Sequence, residues 1–105
     1  MEDLLLRQLE ARKQRRPYAV ATIVEATGST PRTEGKMLVY ADGSSIGTIG
    51  GGIAELQAKK DAAEAIRSGK NALVRYEVVP QGAQAGMVCG GALQVFIEVW
   101  HVKPL

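Results

Sequence analysis

The period of the apolar positions changes several times along the chain, and each change marks an element. Residues 3–15 carry Leu5, Leu6 and Leu9 on one helical stripe, with Asp3 placed to cap the start and Pro17 to end it. Residues 18–25 are a run of Ala and β-branched side chains of strand length. A loop punctuated by Gly and Pro follows at 27–32. Residues 36–40 and 45–49 read as two further strands, joined at Asp42-Gly43, where both positions tolerate positive φ. Gly50, Gly51 and Gly52 follow the third strand at once. Residues 53–67 return to a helical period, with Leu56, Ala63 and Ile66 on one face, Lys59, Lys60 and Glu64 elsewhere, and Gly69 as the stop. Residues 73–79 and 92–99 read as the last strands. Between them lie a loop rich in Gly and Ala and the tripeptide Cys89-Gly90-Gly91.

The order helix, three strands, helix, two strands predicts an α/β (α+β) fold. The expectation is a single compact domain over residues 1–105: a mixed sheet of about five strands, with two helices covering one face. The composition, 46% hydrophobic and 23% charged, suits an ordinary globular domain. A chain of 105 residues buries only a modest core, so self-association into a homo-oligomer is the expected further source of stability.

Charge and composition remove several functions. A net charge of +2 and 5% aromatic residues give no basis for binding nucleic acid. Arg12, Lys13, Arg15 and Arg16 read as the solvated, basic end of a helix. Cys89 is the one cysteine, so an internal disulfide and a cysteine-built zinc site are both excluded, and the cytoplasm is the default compartment. No apolar run reaches signal-peptide or membrane-spanning length, so no membrane association is expected.

Three segments could carry chemistry. At Gly50, Gly51 and Gly52 a strand gives way to a helix. Glycines there admit positive φ and close approach of a ligand, and the free amides of the helix start favour an anion. A tight turn against a neighbouring strand is an equal reading. Glu55, in the first turn, suits a capping role, reaching back to a backbone amide with Gly52 as the cap; accepting from a ligand's amine edge is the alternative. Cys89, followed by Gly90 and Gly91, is a thiol beside small residues, either accessible to a soft metal or buried as a small hydrophobe. Gly28-Ser29-Thr30-Pro31-Arg32 offers hydroxyls and a guanidinium that suits phosphate or carboxylate, or is a turn with a surface arginine. His101 is the only histidine, and no catalytic triad can be assembled.

Taken together, 28–32, the run 47–55 (Gly-Thr-Ile-Gly-Gly-Gly-Ile-Ala-Glu) and 86–91 (Gly-Met-Val-Cys-Gly-Gly) resemble the N-terminal domain of the XdhC/CoxI family. Its members are accessory factors that help mature molybdenum hydroxylases such as xanthine dehydrogenase. The resemblance spans nearly the whole chain. It implies transient binding of molybdenum cofactor (molybdopterin) at Gly50, Gly51, Gly52, Cys89, Gly90 and Gly91, with Arg32 and Glu55 nearby and Cys89 as the ligand to the metal. It implies an apo-hydroxylase as partner, with a sulfurating enzyme or a separate Rossmann-like chain beside it. Many members continue into a second, Rossmann-like domain, whereas this chain ends at Leu105. The expected function is a binding protein, not an enzyme. Two alternatives stand beside it: a module that docks the hydroxylase or cofactor-synthesis partners without holding cofactor, and a small sulfur-transfer enzyme using Cys89, for which no activating base is evident.

Overall fold

The computed structural model describes residues 3–28, 34–78 and 91–100. Its elements run α1 (Leu4–Lys13), β1 (Tyr18–Gly28), β2 (Lys36–Tyr40), β3 (Ser45–Thr48), α2 (Gly52–Ser68), β4 (Ala72–Val78) and β5 (Gly91–Trp100). Five strands and two helices thus appear in the expected order. They form one sheet in the order β3-β2-β1-β5-β4.

Every pairing is antiparallel, where a mixed sheet was expected. The topology explains the difference. The connection through α2 carries the chain from β3 at one edge to β4 at the other, so two strands of like direction are separated by three others and never pair.

The helices also lie on opposite faces of the sheet. Ala19, Ala21, Ile23, Met37, Val39, Leu93, Val95 and Ile97 form the larger core with α2. Tyr18, Leu38 and Tyr40, on the alternate face, form a smaller core with Ala11 of α1. In α2 the buried residues are Ala54, Ala58, Ala62 and Ala65, not the predicted face of Leu56, Ala63 and Ile66; Leu56 faces solvent and Ile66 packs at the margin. Small side chains meet Ala19 and Ala21 here, so the helix lies close to the sheet and leaves no room for a leucine.

α1 shows the same reversal. Leu5, Leu6 and Leu9 are 65%, 56% and 49% exposed, while Ala11 is buried. The sheet face beneath α1 is aromatic and bears a hydroxyl. Arg12 Nε donates to Tyr18 Oη at 2.9 Å, Tyr18 Oη donates to Gln8 Oε1 at 3.2 Å, and the Arg12 guanidinium lies 4.7 Å from the Trp100 ring centre. Arg16 sits 3.6 Å over Tyr40. Two of the four residues read as a solvated basic end are therefore ring-stacked struts between α1 and the sheet.

β1 runs to Gly28, past the predicted end at 25. Its pairing with β5 shifts between Ile23 and Glu25, a bulge that lets the strand bend as it leaves β2. Lys36 of β2 lies opposite Thr22, whereas Gly28 lies opposite Gly91 and Gly91 opposite Val78. β1, β5 and β4 thus project about 15–20 Å beyond the end of β2.

Candidate functional site

β3 ends at Thr48, and Ile49 anchors the chain in the core at 1% exposure. The next three residues reverse direction into α2. Gly50, Gly51 and Gly52 have φ values of 119°, 79° and 71°. Three successive positive φ values are strained for any residue with a Cβ, and this is the physical reason for the glycine run.

Glu55 holds the turn. Its Oε1 accepts from the Thr48 hydroxyl, from the Ile49 amide at 3.0 Å and from the Gly51 amide at 3.1 Å. The Thr48 hydroxyl in turn accepts from the Gly50 amide at 2.9 Å. The other oxygen, Oε2, lies 3.9 Å from Lys59 Nζ. The cap is Gly51, not Gly52, so Glu55 sits one position later than expected, and it still reaches back to the cap amide. Partial burial pushes the Glu55 carboxyl up. The Thr48 hydroxyl, the Ile49 and Gly51 amides and the Lys59 ammonium outweigh that effect, and the group is held below its ordinary value.

The surrounding glycines divide into two kinds. A Cβ on Gly47 would come within 2.5 Å of Lys36 O, and one on Gly35 within 2.8 Å of Thr48 O. These two let backbones pack behind the turn. A Cβ on Gly51 or Gly52 would meet no atom within 4 Å. The turn therefore presents an open outer surface, and the amides of the first turn of α2 have no intrahelical acceptor there. An anion could be received on that surface, because Glu55 is turned inward and its charge is matched by donors and by Lys59.

Gly50, Gly51, Gly52 and Glu55 are thus one unit. Gly91 lies toward the same end of the sheet, at the tip of the projecting strands, opposite Gly28. Arg32, Cys89 and Gly90 lie outside the described residues. Among the described residues no group of three or more His, Cys, Asp or Glu is placed to hold a metal. The expected metal ligand, Cys89, is not among them. Sequence reasoning missed Thr48 and Lys59. The spacing of Lys59 from Glu55, one helical turn, was the available signal. Nothing in the sequence singled out Thr48.

A model of the XdhC and CoxI family matches residues 11–77, a span that contains Arg32, the glycine turn and Glu55 and stops short of Cys89. An uncharacterised Escherichia coli (strain K12) protein, YqeB, is 44% identical over 93 residues, which is 88% of this chain and 17% of that protein. Among solved structures, a Bacillus halodurans protein described as a xanthine dehydrogenase superposes with a TM-score of 0.71 at 27% identity. That match covers 94% of this chain and 30% of the other. The chain thus spans less than a third of either relative. No helix among the described residues is long and apolar enough to cross a membrane.

Proposed function

The chain belongs to the XdhC and CoxI family, and on that footing we propose that it binds molybdenum cofactor transiently and aids its insertion into a molybdenum hydroxylase such as xanthine dehydrogenase. One observation carries the reading: the triple-glycine turn, locked from within by Glu55 and open on its outer surface. Such a turn has the form that a phosphate-bearing ligand requires, with backbone amides at a helix start and no side chain in the way. The cofactor carries a phosphate and a thiophilic metal. In this reading the phosphate lies over Gly50, Gly51 and Gly52, on first-turn amides of α2 that neither Thr48 nor Glu55 engages, and Arg32 supplies the guanidinium. Cys89 is the thiolate for the metal, flanked by Gly90 and Gly91. Glu55 acts on the turn and not on the ligand. The protein holds and hands over and turns over no substrate. Its partners are the apo-hydroxylase and a sulfurating enzyme or a separate Rossmann-like chain, in the cytoplasm.

The test is a titration of wild type and Cys89→Ala with freshly released molybdenum cofactor, with bound and free molybdenum separated by ultrafiltration. Wild type is expected to bind and Cys89→Ala to bind at least ~10-fold more weakly, as loss of a metal ligand does. No binding by wild type at micromolar concentration would overturn the proposal.

The exposed Leu5, Leu6 and Leu9 on α1 favour a second reading, a module that docks the hydroxylase without holding cofactor. In that case Cys89→Ser would leave both complex formation and enzyme maturation intact.

A further inference from the structure

We infer that Ile53 and Leu56, on the outer side of the first turn of α2, form the platform for the ring system of the ligand whose phosphate lies over the glycine turn, an inference that rests on the proposed use of that turn. α2 buries Ala54, Ala58, Ala62 and Ala65, whereas Ile53 and Leu56 are 73% and 55% exposed. Further along the same outer side the helix carries Gln57, Lys60, Glu64 and Arg67, all exposed. The exposed large apolar side chains of α2 are therefore confined to its first turn, beside Gly51 and Gly52. Three residues apart on a helix, they are surface neighbours and make one small apolar patch.

The position of the patch selects a class of ligand. Leu56 lies four residues after Gly52, about 6 Å along the helix axis and on the same side. Cα–Cβ bonds in a helix tilt toward its N-terminus, so both side chains lean toward the glycine end. A Cβ on Gly51 or Gly52 would meet no atom within 4 Å, which leaves that end clear. A phosphate on the free first-turn amides sets whatever it is joined to against Ile53 and Leu56. A flat ring close to the phosphate covers the patch and takes it out of water; a bare phosphate or a flexible polar chain leaves it wet. The chemistry recognised is a phosphate ester with a planar heterocycle a short link away. The pterin cofactor, whose phosphate hangs one methylene from its fused rings, has that form. The glycine turn reads the charge, and the apolar pair reads the ring.

Equilibrium titration of wild type and Ile53→Ala/Leu56→Ala with freshly released molybdenum cofactor tests the inference, with inorganic phosphate as competitor and urea unfolding on the same preparations. The double variant is expected to unfold at the wild-type urea concentration, since neither side chain is in the core. It is expected to bind cofactor at least ~10-fold more weakly, as loss of several buried methylenes does. Inorganic phosphate, which has no ring, is expected to compete with the same inhibition constant in both proteins. Wild-type affinity in the double variant would overturn the role of the pair and leave the reading of the turn standing. A phosphate constant weakened by the same factor as cofactor binding would also overturn it, placing the loss at the turn. Failure of wild type itself to bind cofactor would overturn the reading of the turn, and this inference with it.

Discussion

One oxygen of Glu55 gathers the Thr48 hydroxyl and the backbone amides of Ile49 and Gly51, and this fixes the path of the chain into α2. Removing it leaves the Ile49 and Gly51 amides without their acceptor in a partly buried place. Glu55→Ala should therefore cost about 2 kcal/mol in urea unfolding. The pH dependence has a definite sign. The folded state holds the carboxyl below its ordinary 4.5, so the contribution is complete above that pH and is lost as pH falls through the lower folded-state value. Wild type should lose stability on acidification below pH 4.5 more steeply than Glu55→Gln; parallel curves for the two proteins would remove Glu55 from this role. The turn itself was legible in the sequence, because three glycines between a strand and a helix have few other uses. The separate roles of Gly47 and Gly51 were not, since a packing glycine and a positive-φ glycine are the same letter and both have positive φ here.

At the scale of elements, periodicity located both helices and misjudged the face that each buries. The difference has one cause: the buried faces are built from small or polar side chains, and the large apolar ones lie outside. At α2 the core stripe is Ala54, Ala58, Ala62 and Ala65, set against an alanine-lined strand, and at α1 the sheet offers rings and a hydroxyl that suit Arg12 and Gln8. Such interfaces depend on the partner surface, which a single helix sequence does not reveal. The consequence is measurable. Ala58→Leu, at a fully buried site, should destabilise by about 1–3 kcal/mol through overpacking, while Leu56→Ala should change stability by no more than ~0.5 kcal/mol. The reverse ranking in urea unfolding would mean that α2 is rotated from the position described. Strand order was the other element-level gap. The run of elements suggested a mixed sheet, and only the placement of β3 and β4 at opposite edges makes it antiparallel throughout.

At the scale of the molecule, the antiparallel sheet carries α1 on one face and α2 on the other, with the glycine turn at the end from which β1, β5 and β4 project. The family was legible from three short motifs in order, one of which falls on the turn just described. The proposed use of that turn rests on its open outer surface, and the most direct measurement is the affinity of Gly52→Ala for released molybdenum cofactor, with urea unfolding on the same preparations. A Cβ at Gly52 enters the space over the turn without touching another atom within 4 Å. Its positive φ of 71° makes the folded variant about 1–2 kcal/mol less stable. The account predicts a folded variant that binds cofactor at least ~10-fold more weakly than wild type, the loss expected from one blocked contact of roughly 1.4 kcal/mol. A folded Gly52→Ala protein with wild-type affinity would contradict it and place any cofactor site away from the glycine turn.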